Sequence, residues 1–250
     1  MCGRFSLTAT PDEVRALFGY LDQPNFPPRY NIAPTQPVGI VREDGTGRRF
    51  ALVRWGLIPP WVKDPREFTL LINARSETVT EKASFRNAIR RRRCLVPASG
   101  FYEWRRTGKP DKQAFWVPPA KGGLVGFAGI WESWMGRDGE ELETAAILTA
   151  PANATLAPIH HRMPVVIPPE EFGRWLDCSA DSAEPVRDLL AAPADDVFAP
   201  VPVSDRVNKV ANDDADLQSP VEDRRAPEPD EATEEAPKPK KTAGGQMDLF

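Results

Sequence analysis

The chain has 250 residues, 41% of them hydrophobic and 27% charged, with a formal net charge of −4 at pH 7. That length suits one domain of about 200 residues plus a tail, or two small domains. No run approaches the roughly 18–20 apolar residues of a membrane span and no charged-then-apolar leader opens the chain, so a cytoplasmic protein without membrane contact is expected. Cys2, Cys94 and Cys178 are an odd number without metal-type spacing, and the only histidines are the neighbours His160 and His161. A disulfide framework, a zinc site and any other metal or organic cofactor are therefore not expected. The net charge conceals an asymmetry. Residues 211–250 hold 11 acidic and 5 basic side chains, net −6, which leaves residues 1–210 at net +2. Whole-chain charge thus says little about nucleic-acid binding, and the placement of the cations decides.

In chain order, Pro11-Asp12-Glu13 followed by Val14, Leu17 and Phe18 predicts a helix with an apolar stripe. Residues 22–37, rich in Pro and Asn, read as an ordered loop. Residues 38–41 and 49–55 read as strands around the Asp44-Gly45 turn. Pro59-Pro60 starts a loop to about Thr69, and residues 84–91 read as a helix. Residues 94–97, 101–104, 114–117, 124–131 and 143–149 read as strands. Residues 152–157, 169–176 and 184–190 read as helices, and 197–203 as a late strand. All seven Trp fall between Trp55 and Trp175, which places the core there. The pattern implies an α+β domain on a mixed, mainly antiparallel, barrel-like sheet with peripheral helices.

Position 2 carries the most distinctive chemistry. A small second residue allows removal of Met1, which would leave Cys2 with an α-amine of pKa about 7.7–8 beside a thiol of about 8.5. A 1,2-aminothiol captures an aldehyde with its amine and closes with sulfur to a thiazolidine, which an internal Cys cannot do. The same residue could equally be a small buried side chain near a frayed terminus.

Other local sequences accompany it. They are Met1-Cys2-Gly3-Arg4-Phe5, Arg29-Tyr30-Asn31-Ile32-Ala33-Pro34-Thr35, Ile72-Asn73-Ala74-Arg75-Ser76-Glu77-Thr78, Gly100-Phe101-Tyr102-Glu103-Trp104, and Pro158-Ile159-His160-His161-Arg162-Met163-Pro164. In this order they resemble the SRAP (SOS response-associated peptidase) family, whose members shield abasic sites in single-stranded DNA by cross-linking to them. The resemblance runs from Cys2 to about Val210 and implies a single SRAP domain over residues 1–210. It implies that Cys2 is the nucleophile and that Asn73 hydrogen-bonds near the Cys2 terminus or the sugar. Glu103 would serve the acid and base steps of Schiff-base formation, and His160 would open the deoxyribose ring and catalyse reversal. Arg4, Arg75 and Arg162 would hold phosphates, and Pro34, Trp61 and Thr149 would line the DNA path. An abasic-site lyase activity and a self-processing peptidase activity belong to the same implication, as does a monomer at replication forks on the nucleoid. The second histidine, His161, departs from the family pattern.

The residue types suit that chemistry on their own. One carboxyl group can protonate the departing carbonyl oxygen and take the amine proton. An imidazole with pKa near 6.5 suits sugar ring opening, and the planar fork of Arg matches phosphate. Each residue also has a plainer reading. Glu103 between aromatics could face outward from a strand, Asn73 could be turn chemistry, and Arg75 with Glu77 could be a surface ion pair. The run Arg90-Arg91-Arg92-Arg93 reads as a solvated helix end and a secondary source of positive potential. Two rivals stay open on the residues alone: an N-terminal-nucleophile thiol peptidase or hydrolase, and a non-catalytic single-stranded DNA-binding module in which Cys2 is incidental.

From Ala211 the composition turns to Pro, Glu, Asp and Lys, so residues 211–245 are expected to be a disordered acidic linker. The last five residues, Gln246-Met247-Asp248-Leu249-Phe250, resemble the bacterial clamp-binding pentapeptide. There Gln246 would orient the peptide while Met247, Leu249 and Phe250 fill an apolar pocket. The replicative sliding clamp is the implied partner, with the tether raising effective concentration near DNA.

Overall fold

Thr10 shows how local chemistry starts the fold. Its hydroxyl accepts the Glu13 backbone N–H at 3.3 Å while the Glu13 carboxylate accepts the Thr10 N–H at 2.7 Å, a reciprocal capping box. Helix α1 (Pro11–Phe18) follows, buries Val14 and Phe18, and stops at Gly19, whose φ of 68° suits glycine. The computed structural model describes residues 2–108 and 111–224. Among them the remaining helices are α2 (Ala88–Arg91) and α3 (Phe172–Leu176), with four short 3-10 turns. The strands are β1 (Phe5–Leu7), β2 (Arg29–Ile32), β3 (Pro37–Glu43), β4 (Arg48–Trp55), β5 (Asn73–Arg75), β6 (Arg93–Ala98) and β7 (Gly100–Arg106). They continue as β8 (Lys112–Val117), β9 (Val125–Met135), β10 (Glu141–Pro151), β11 (Arg162–Pro164), β12 (Val166–Ile167) and β13 (Val201–Val203).

Strands β3, β4, β10, β9 and β6 pair in a ring and close a barrel. Only β4 with β10 runs parallel within that ring. Past the end of β4, β5 takes its place on the same strand, aligning Asn73 with Ile147 and Arg75 with Thr149. Strand β11 similarly extends the other edge of β10 beyond β9. The second sheet, in the order β13-β8-β7-β1-β2, is antiparallel throughout. The mixed, mainly antiparallel, barrel-like architecture expected from the sequence is thus the one observed.

Aromatic side chains join the two sheets. Phe5 of β1 meets Trp55 of β4 edge-on at 5.1 Å, and Phe101 of β7 meets Phe127 of β9 at 6.0 Å. Phe18 stacks on Phe172 at 5.0 Å, which fastens α1 to α3. Gly100 sits where any side chain would collide, since a Cβ there would lie 2.7 Å from the Val117 carbonyl oxygen. It lets β7, the strand that carries Glu103, approach β8 closely at its first residue.

Several sequence readings need correction. Residues 22–37 contain β2, which the Pro and Asn content hid. The helix expected over 84–91 reduces to Ala88–Arg91, preceded by hydrogen-bonded turns. Residues 152–157 form turns rather than a helix, and 184–190 are 3-10 helix. Residues 169–176 divide into a 3-10 turn and α3, and the late strand shortens to Val201–Val203. The expected start of a disordered linker at Ala211 also moves. Residues 211–224 pack on the domain, with Leu217 fully buried and Pro220 bridged to Val203. One apolar anchor and a set of specific hydrogen bonds hold this acidic stretch, and composition averaged over the tail conceals both. The remainder of the expected linker and Gln246, Met247, Leu249 and Phe250 lie outside the described residues.

Candidate active site

The N-terminus is placed by sheet pairing. Phe5 pairs with Phe101, and the Arg4 carbonyl accepts the Tyr102 N–H at 2.9 Å. This register lays Cys2 against the strand that bears Glu103. Cys2 is fully buried, its thiol 3.9 Å from the Arg4 carbonyl oxygen. From the barrel side, Asn73 on β5 donates through Nδ2 to the Cys2 carbonyl at 2.9 Å. The loop between β10 and β11 brings His160, whose Nδ1 lies 3.8 Å from Glu103 Oε1. Four residues distant in sequence thus meet at the junction of the two sheets.

Burial sets the electrostatics. The Cys2 thiol is pushed up by desolvation and further by the Glu103 carboxylate. Glu103, only 2% exposed, is itself raised by desolvation. His160 is lowered, again chiefly by desolvation. All three shifts favour neutral forms: a thiol, a carboxylic acid and an uncharged imidazole. His160 Nδ1 lies 3.1 Å from the backbone nitrogen and 3.2 Å from the carbonyl oxygen of Arg162. Either neutral tautomer therefore keeps a backbone partner. His161 is exposed and its ring sits 4.3 Å from that of His160. Among the described residues no group of His, Cys, Asp and Glu is arranged to hold a metal ion.

The residues expected to meet DNA fall into two sets. Arg75 is exposed at the end of β5, Pro34 is half-buried in the turn after β2, and Trp61 is 57% exposed with Phe68 edge-on at 5.5 Å. Arg162 and Thr149 are placed differently. Arg162 is 6% exposed, forks onto both carboxylate oxygens of Glu77, and donates to the Thr149 hydroxyl at 3.2 Å. That pairing holds Glu77 down to a pKa of about 2. Thr149 is fully buried. In this structure both lie beneath the surface, under the His160 turn, because a guanidinium leaving water must keep a charged partner. Arg4 is half-buried, its Nη1 donating to Asn31 Oδ1 at 2.7 Å and to the Val207 carbonyl at 2.6 Å.

The basic run 90–93 is committed elsewhere. Arg90 and Arg91 pair with Asp181, and Arg92 pairs with buried Glu132. Arg93, 2% exposed, donates to the carbonyls of Trp175, Ile89, Ser182 and Asp177. The sequence assigned no role to Asn31 or Tyr102, and offered Glu77 only as a surface partner of Arg75. The pairing of Glu77 with Arg162 spans 85 residues, so only the fold reveals it.

A closed barrel joined to a five-stranded sheet gathers buried Cys2 and Glu103 and half-buried Asn73 and His160 at the junction. The family model "SOS response associated peptidase (SRAP)" matches residues 1–210. The chain belongs to this family. It is 37% identical over 221 residues to the abasic site processing protein YoaM of Bacillus subtilis, covering 87% of this chain and 97% of that protein. It is 33% identical over 229 residues to the abasic site processing protein YedK of Escherichia coli, covering 88% of this chain and 100% of that protein. A crystal structure of a protein from Bacteroides thetaiotaomicron shares the fold with a TM-score of 0.78 at 28% identity, covering 88% of this chain and all of that one.

Proposed function

We propose that this chain processes abasic sites in single-stranded DNA by forming a thiazolidine between Cys2, once Met1 is removed, and the open-chain aldehyde of the sugar. The observation that carries this reading is the placement of the Cys2 backbone, its carbonyl held by Asn73 at 2.9 Å, beside the Glu103–His160 pair. The names of the relatives, abasic site processing proteins, support the substrate class.

The steps follow from the protonation states that burial favours. His160 takes the O1′ proton and returns a proton to O4′ as the ring opens to the aldehyde. The Cys2 amine adds to the carbonyl carbon. Glu103, its pKa raised by desolvation, gives a proton to the carbinolamine hydroxyl, water leaves, and the nitrogen proton returns to Glu103 to give the imine. The thiol, held neutral until then, adds across the C=N bond, its proton passing to nitrogen. The adduct is one water lighter than its two components. The imine stage is also open to β-elimination, in which a base removes a C2′ proton and the 3′ phosphate departs, a lyase reaction. Aminopeptidase action suffices to remove Met1, and a self-processing peptidase step is a second route. Arg75 supplies phosphate contact and Trp61 a stacking surface for an unpaired base.

The test is the intact mass of purified protein after incubation with a single-stranded oligonucleotide carrying one abasic site, beside Cys2→Ala and Cys2→Ser. A heat-stable adduct lacking Met1, absent in both variants, is expected. Retention of Met1, or no adduct from a free Cys2, would return the chain to the hydrolase or passive-binding readings. We also infer that residues 246–250 dock on the replicative sliding clamp. Deleting them is expected to abolish clamp binding in a pull-down and leave the adduct yield unchanged, and undiminished clamp binding would refute the assignment.

A further inference from the structure

The N-terminal segment that runs from Cys2 into β1 is itself held from outside, by a segment reaching beyond the stretch that the family model matches. β2 is the edge of the five-stranded sheet, and an edge strand leaves backbone N–H groups in need of partners. Asp213 supplies them. Its Oδ1 accepts the N–H of Tyr30 at 2.5 Å and of Asn31 at 3.0 Å, while Oδ2 accepts Arg29 Nε at 2.8 Å. Asn31 is fully buried and carries the connection inward. Its Nδ2 donates to the carbonyls of Asn212 at 2.7 Å and Lys209 at 3.2 Å, and its Oδ1 accepts Arg4 Nη1. The same Arg4 nitrogen reaches the Val207 carbonyl. Further along, Gln218 donates to the buried Ser6 hydroxyl at 3.1 Å, and Leu217 packs in a cluster with Tyr102 and Trp116.

Residues 205–221 therefore grip the N-terminal strand at Arg4 and at Ser6, two and four residues from the thiol. No atom of Asp213 is needed for a proton transfer, yet it accepts three hydrogen bonds from the strand that fixes Arg4. We propose that residues 205–221 are a strap that positions the N-terminal nucleophile, with Asp213 as its positioning residue. The proposal rests on the reading of Cys2 as the reacting group.

The test uses full-length Asp213→Ala and Asp213→Asn with three measurements. They are the single-turnover adduct rate with abasic DNA, affinity for the same oligonucleotide bearing tetrahydrofuran (which lacks the aldehyde), and iodoacetamide alkylation mapped separately to Cys2 and Cys94. Misplacement of a reacting group is costly, so Asp213→Ala is expected to slow adduct formation about 10-fold or more and leave affinity within about twofold. Loosening the strap should speed Cys2 alkylation about fivefold while Cys94, buried in the barrel, stays unchanged. Asp213→Asn, which keeps one acceptor oxygen, should fall between. Unchanged Cys2 alkylation in Asp213→Ala, or Cys94 rising with Cys2 as in general loosening, overturns the strap. Wild-type protein that forms no adduct refutes the cross-linking reading instead, and the alkylation arm still decides the strap.

Discussion

Two buried polar clusters in this molecule solve opposite problems. Around Arg93, guanidinium N–H groups meet backbone carbonyls from α2, α3 and the 182 turn. Burial lowers the Arg93 pKa, yet a guanidinium stays charged, so the cluster is an electrostatically fixed bolt. Around Cys2, burial drives a thiol, a carboxyl and an imidazole toward their neutral forms. The first arrangement stabilises the fold. The second leaves groups that can exchange protons, and a protein keeps such groups at some cost in stability for chemistry.

The sharpest way to break this contrast is Glu103→Gln. On the proposed mechanism, adduct formation should fall about 100-fold or more, as losing a positioned acid-base group does. Stability should move the other way. A carboxyl whose folded pKa is raised gives stability that is fully present below its unfolded value near 4.5 and is lost as pH rises through the folded value. Glu103→Gln should thus raise Tm at pH 7 relative to wild type and have little effect near pH 4. A Tm gain equal at both pH values would remove burial of the ionised carboxyl as the cause.

Arg93→Met tests the other cluster. It strands buried carbonyls, so a loss of about 3 kcal/mol in urea unfolding is expected, with no specific loss of adduct rate in the protein that remains folded. A change under about 0.5 kcal/mol would show that the carbonyls find other partners.

Glu77→Gln lies between the two clusters, since it removes the partner of buried Arg162 beneath the His160 turn. The Glu77 side chain is 45% exposed, so a cost of about 1 kcal/mol is expected, nearer to a solvent-screened pair than to a buried one. Its folded pKa is depressed to about 2, so this stability is present above about 4.5 and lost as pH falls through about 2. Acid titration of wild type against the variant should converge at the low end, and parallel curves would refute the pairing. The smallest effect belongs to Thr10→Ala, which opens the capping box of α1 at about 1 kcal/mol and leaves the site untouched. Urea midpoints that fail to move would mean that burial of Val14 and Phe18 alone holds that helix.

The sequence by itself determined the start of α1, the longer strands and the barrel-like class, and through the family resemblance it named Cys2, Asn73, Glu103 and His160 as candidates. Those signals are local: a proline-led start with an apolar stripe, alternating apolar residues, and short motifs that survive in one dimension. It overstated the helices at 152–157 and 184–190, where short segments lack the length to sustain α-helical hydrogen bonding without packing. The solvated helix end expected for the 90–93 run holds at Arg90 and Arg91 but fails at Arg93, because charge in a sequence does not reveal whether a carbonyl 82 residues away will claim it. Only the tertiary structure decided that β5 continues the edge left by β4, bringing Asn73 to the Cys2 carbonyl. It also decided that Arg162 faces Glu77 and that Asp213 caps β2. Each of these depends on hydrogen-bond partners far apart in the chain, selected by strand register and by the need to satisfy buried polar groups, neither of which a linear pattern records.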